Sequence, residues 1–155
     1  MKEKLLKTAR ELTAPDPDHA RQFSSMCDAM AAQGSITLSK REDLARLIGT
    51  KNFSMAEDNN RNFARFMDSL FSDYSPDVFV DTVLWVFRAY RSHGFQTTYW
   101  ATNLNIWVDM LKDRLPGEAF NQIYPFYNWL IINIPIFTSL TDEDVPESPL
   151  DISHS

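Results

Sequence analysis

The chain has 155 residues, of which 44% are hydrophobic and 23% charged, and these proportions exclude a wholly disordered protein. Its formal net charge of −6 is opposite in sign to that of most phosphate-backbone binders, so we expect no nucleic-acid partner. One cysteine excludes a disulfide-stapled monomer, and the absence of a long apolar run predicts a cytoplasmic protein with no membrane partner.

Several residue patterns typical of helix N-termini occur along the chain. Ser39 with Glu42, and Ser54 with Glu57, fit the capping box, in which each side chain bonds the other residue's backbone N–H. Ser75 precedes a proline, which is favoured at the first helical position. Together with the apolar spacing, these signals predict helices at 2–12, 17–33, 40–48, 55–72, 76–93, 98–115 and 118–139.

Glycine marks the predicted helix ends. Gly34, Gly49 and Gly94 each follow a segment with apolar residues at helical spacing, where a residue of positive φ commonly ends a helix. The predicted fold class is therefore all-α, a single bundle of six or seven helices over residues 1–140. Residues 141–155 carry acids and no Lys or Arg, which predicts a flexible acidic tail.

Two of the predicted helices have unusual composition. Segment 76–93 is apolar on most of its circumference, a pattern typical of a helix buried in the middle of a domain. Segment 118–139 contains Pro125 and Pro135, which should kink, bend or end it. Residues 129–134 have the β-branched content of a strand, but no partner strand is evident, so we predict a helix there.

The sequence carries no recognisable catalytic motif, and we expect a protein that is not an enzyme. His93 is the residue best placed for chemistry, near the end of the apolar helix and just before Gly94. It could ligate a haem iron, but a histidine in a last helical turn also favours the negative helix end. The second interpretation predicts a protein without a cofactor and without a metal site.

The stretch from Tyr90 to Trp107 combines aromatic rings with hydrogen-bonding groups, as small-molecule pockets do. The alternative is a corner between two helices in which the rings simply fill space. The candidate pocket residues are Tyr90, His93, Phe95, Tyr99, Trp100 and Trp107.

A second aromatic cluster surrounds Pro125. It could face a partner subunit, because Tyr and Trp are enriched at interfaces, or it could pack on the preceding helix. The candidate interface residues are Tyr124, Phe126, Tyr127 and Trp129.

The predicted helix order, with a long apolar helix followed by two long helices, resembles the globin architecture. Residues 90–100 are similar to the corner of sensor globins, where a proximal histidine is followed four residues later by glycine and then by an aromatic pair. Matching Gly94 to that glycine puts the proximal position on Tyr90, and His93 becomes the ligand only in a shifted register. The incomplete pattern resembles the haem-free globin-like domains of bacterial stress regulators, which are dimeric signal-input modules.

This resemblance implies a sensory or regulatory module that signals through a small ligand or through contacts of a homodimer formed by its last two helices. One alternative is a haem protein that senses a gas through His93. Another is a helical chaperone or adaptor that binds a partner protein through the cluster at 124–129.

Overall fold

The computed structural model describes residues 1–144, and within that range the chain is helical with no strand. The predicted all-α class is thus confirmed. No helix in the described range is both long enough and apolar enough to cross a bilayer. The helices are α1 (Lys2–Arg10), α2 (Pro17–Ser39), α3 (Leu44–Ile48), α4 (Phe53–Ser72), α5 (Pro76–Ser92), α6 (Thr97–Arg114), α7 (Gly117–Ile132) and α8 (Ile134–Asp144).

Only some of the predicted helix starts are used. Ser75 caps α5 as predicted, its Oγ accepting from the backbone N–H of Val78 at 3.3 Å. Ser39 is instead the last residue of α2, and its hydroxyl donates to the carbonyl of Ile36. Ser54 lies inside the first turn of α4, whose N-cap is Asn52. The two capping-box predictions were therefore wrong.

Two of the three helix ends predicted at glycines are confirmed. Gly49 and Gly94 follow α3 and α5 with φ of 91° and 95°, a conformation that L side chains rarely adopt. The stop at Gly34 was wrong, because α2 continues through it to Ser39. There the missing side chain allows close packing, since a Cβ on Gly34 would lie 3.0 Å from Cε of Met110 on α6.

The last predicted helix is divided into α7 and α8 at Asn133. Pro135 has no N–H to donate to the carbonyl four residues earlier, so the helical ladder is interrupted there. Asn133 caps the end of α7, its backbone N–H and its Nδ2 both donating to the carbonyl oxygen of Trp129, at 3.2 Å and 2.8 Å. Pro125, in contrast, is accommodated inside α7.

The predicted boundary of the acidic tail does not coincide with the end of the helix. α8 continues to Asp144, and Thr141 is buried. Arg91 of α5 donates to the hydroxyl of Thr141 at 2.9 Å and pairs with Asp142 at 2.5 Å. The remainder of the predicted tail, 145–155, lies outside the described residues.

The core is built around α2, α4 and α6. α2 packs along α4, and α6 packs against both α2 and α7. Large aromatic side chains fill the interior, including Phe23, Trp107 and Tyr127, each of which is fully buried. A smaller apolar cluster joins α3 to the N-terminal turn of α6.

The prediction that α5 is wrapped on all sides was wrong. Val78 and Trp85 are 52% and 64% exposed, and the main neighbours of α5 are α1 and α8. The apolar composition of α5 predicts the amount of apolar surface, and it does not show whether a neighbouring helix covers that surface. Part of α5 instead borders a cavity shared with α4 and α6.

Candidate ligand-binding cavity

A mainly apolar cavity lies between α4, α5 and α6, and residues near the end of α7 and the start of α8 also line it. Its volume is about 360 Å³, within the range of about 300–1,000 Å³ typical of small-molecule sites. α4 contributes Asn59, Asn62, Phe63 and Phe66; α5 contributes Thr82, Val83, Trp85, Val86, Phe87 and Tyr90. α6, α7 and α8 contribute Trp100, Asn103, Leu104, Leu130, Ile134 and Phe137.

Two of the six candidate pocket residues, Tyr90 and Trp100, line this cavity. Their rings are in edge-to-face contact, with centroids 5.8 Å apart. Phe87 stacks on Trp100 with a centroid separation of 5.1 Å. These contacts make one wall of the cavity aromatic and fix the Trp100 ring against α5.

Phe95 and Tyr99 lie behind that wall, in the smaller apolar cluster. Tyr99 is fully buried, and its hydroxyl accepts a hydrogen bond from Nδ2 of Asn59 at 2.8 Å. Asn59 itself lines the cavity, so this bond ties α4 to α6 at its edge. Phe95 and Tyr99 therefore support the wall from outside.

Trp107 lies in the main core and does not line the cavity. Its indole N–H donates to Oδ1 of Asn60 at 3.1 Å, and its ring is in edge-to-face contact with Phe63, which does line the cavity. Its position is that of a packing residue one layer below the cavity floor.

His93 is exposed at the C-terminal cap of α5 and is not part of the cavity lining. Its Nδ1 lies 2.9 Å from the carbonyl oxygen of Ala89, which can only accept, so Nδ1 carries the proton. This is the arrangement of a last-turn histidine bound to its own helix end. Haem held in this cavity through His93 does not fit that placement.

The candidate interface residues are mostly inside the single chain. Phe126, Tyr127 and Trp129 are at most 4% exposed, so the interpretation that they pack internally replaces the one that they face a partner. Tyr124 differs, since it keeps part of its surface and stacks on Phe120 with centroids 5.2 Å apart. Only Tyr124 of the four remains available to another molecule.

Sequence reasoning missed the contribution of α4 and most of that of α5. Phe63 and Phe66 have the spacing of core residues, and spacing cannot distinguish a residue that faces core from one that faces a cavity. A usable signal was the asparagine pair at 59 and 60 on the apolar face of α4, because buried polar residues are uncommon and need partners.

The cavity lining is electrically neutral. None of its described residues is a Lys, Arg, His, Asp or Glu. Burial, with a smaller contribution from Asp58, raises the pKa of Tyr90, so its hydroxyl stays protonated at neutral pH. Among the described residues there is also no cluster of three or more His, Cys, Asp or Glu side chains that could hold a metal ion. The lining is suited to apolar contact with a few neutral hydrogen bonds.

Comparisons of the chain with protein-family models, with curated proteins and with solved structures gave no match.

Proposed function

We propose that this protein is a cytoplasmic sensory or regulatory module of globin-like type, without enzymatic activity, whose signal is a small ligand bound in the cavity between α4, α5 and α6. The observation that carries the proposal is the apolar, uncharged cavity of about 360 Å³. The resemblance of the helix order and of residues 90–100 to globins supports the proposed sensory or regulatory role.

The proposed mechanism is a population shift. A ligand that fits the cavity better in one arrangement of α5 stabilises that arrangement by its difference in affinity between the two states. α5 is suited to this role because it lines the cavity and also keeps exposed apolar surface, at Trp85 in the lining and at Val78 outside it. The change would be read by a second copy of the chain or by a signalling partner protein.

Binding can be tested with propylbenzene, an apolar probe, by titration calorimetry. Val86→Phe adds a ring to a partly buried residue of the cavity lining, and we expect it to weaken binding by at least about tenfold, or about 1.4 kcal/mol. Val78→Phe is the matched control, because it makes the same change on the same helix at an exposed residue outside the lining. Equal affinity of the two variants, or no binding to the wild type, would contradict the proposal.

A further inference from the structure

Aromatic side chains are concentrated in the cavity lining. Seven of the sixteen described residues that line it are aromatic, whereas aromatic residues make up 13% of the chain. Five of the seven keep accessible surface, namely Phe63 and Phe66 of α4, Trp85 and Tyr90 of α5, and Trp100 of α6. Rings from three helices are therefore available to contact a molecule in the cavity.

Two polar lining residues of α6 offer a ligand no hydrogen bond. The indole Nε1 of Trp100 and the amide Oδ1 of Asn103 are buried, so a molecule in the cavity reaches neither atom. Nδ2 of Asn103 is bonded to Asn60 at 2.8 Å, and Asn103 is only 2% exposed. Because Nε1 is the only polar atom of the Trp100 side chain, the side-chain surface that Trp100 keeps is carbon. Trp100 therefore presents its ring to the cavity and not its donor.

The charge around the cavity also limits the ligand. Asn62 and Thr82, two polar lining residues that keep surface, are neutral, as is the rest of the described lining. An ion in the cavity would lose water without gaining an opposite charge from these side chains, and burying an unpaired ion is unfavourable. The net charge of −6 further disfavours an anion. An uncharged molecule is thus favoured.

We propose that the cavity takes an uncharged molecule with an aromatic ring, held by ring-to-ring contacts with α4, α5 and α6. The inference rests on the proposed ligand-binding function and specifies the chemical class of the ligand. An aromatic pair is stabilised beyond the area that it buries, by about two- to tenfold in affinity. A saturated ring of the same size buries apolar surface without that gain.

Four probes with the same three-carbon chain test the inference by titration calorimetry at neutral pH. These are 3-phenylpropanol, its saturated analogue 3-cyclohexylpropanol, the anion 3-phenylpropanoate and the cation 3-phenylpropylammonium. We expect the phenyl alcohol to bind about tenfold more tightly than either ion, because the described lining pairs neither charge.

The aromatic preference is measured as the affinity for the phenyl alcohol divided by the affinity for the cyclohexyl alcohol. Phe66→Leu removes one ring of the lining, and we expect it to lower this ratio by about two- to tenfold. The difference between the two probes in water is the same for every variant and cancels when the ratios are compared. Binding of the cyclohexyl alcohol shows that the variant is folded.

Two further variants complete the test. Tyr90→Leu removes a lining ring from α5 and should also lower the ratio. Phe120→Leu is the matched control, because it makes the same change as Phe66→Leu at another half-buried phenylalanine, on α7 and outside the lining, and should keep the ratio.

The outcomes separate the two proposals. An unchanged ratio in both Phe66→Leu and Tyr90→Leu, or an ion that binds the wild type as tightly as the phenyl alcohol does, would overturn the inference and leave the ligand-binding function standing. Failure of all four probes to bind the wild type would overturn both.

Discussion

At the scale of single residues, Asn60 has the most connected side chain in the described core. It is fully buried on α4, donates to Ser35 of α2 at 3.0 Å and accepts from Asn103 and Trp107 of α6. One amide thus links the three helices that form the core. It also sets the direction of the Asn103 amide, because its oxygen accepts from the indole N–H of Trp107, which can only donate, and Asn103 must therefore present its NH₂ group to the same oxygen.

Replacement of Asn60 by Leu keeps the approximate volume and removes the shared acceptor. The N–H groups of Asn103 and Trp107 would lose their partner in a buried place, and we expect the free energy of unfolding to fall by about 3 kcal/mol. Urea denaturation measures the change. Asn62→Leu is the control, because Asn62 is exposed on the same helix and should shift stability by no more than about 0.5 kcal/mol. Equal effects of the two substitutions would contradict this account of Asn60.

At the scale of helices, the start of α5 depends on a local cap that the sequence identifies. Ser75→Ala removes the acceptor for the N–H of Val78, and we expect a loss of about 1 kcal/mol of stability in thermal or urea unfolding. Ser54→Ala is the control. Ser54 also belongs to a capping-box pattern in the sequence, but it is exposed and does not cap α4, so its loss should have little effect. A loss at Ser54 as large as that at Ser75 would argue against the assignment of the caps.

The elements also show what the sequence can and cannot predict here. Apolar spacing and positive-φ glycines at Gly49 and Gly94 were enough to predict the helical class and most helix positions. They failed at Gly34, because its role depends on Met110, a residue far away in the chain. A local pattern does not contain such a contact.

The candidate site was harder to predict for the same reason. The sequence identified Tyr90 and Trp100, which belong to one aromatic-rich corner, but not Phe63 or Phe66, which reach the cavity from α4. Whether a helix face meets another helix or an empty space depends on how all the helices are arranged. The composition of α5 likewise predicted apolar surface correctly and its complete burial incorrectly.

At the scale of the whole molecule, the proposed homodimer would use the outer face of α7, where Tyr124 retains surface and stacks on Phe120. A charge placed there would be desolvated on association, so Tyr124→Arg should convert a dimer to a monomer. Light scattering after size-exclusion chromatography measures the mass. Ser69→Arg adds the same charge at an exposed position of α4, which is not one of the helices proposed for the dimer, and should leave the dimer intact. A wild-type protein that is monomeric at high concentration would refute the dimer proposal.

Side chains of α5 also make polar contacts with two helices, α1 and α8, away from the cavity. Near its start, Asp81 pairs with Lys2 of α1 at 2.8 Å, and near its end Arg91 is bonded to Thr138 and Thr141 of α8. The first and last helices of the described region are therefore both fastened to the helix that borders the cavity. A rigid-body displacement of α5 would be transmitted mechanically in two directions, and spectroscopic labels on α1 and α8 would report it as a change in their separation.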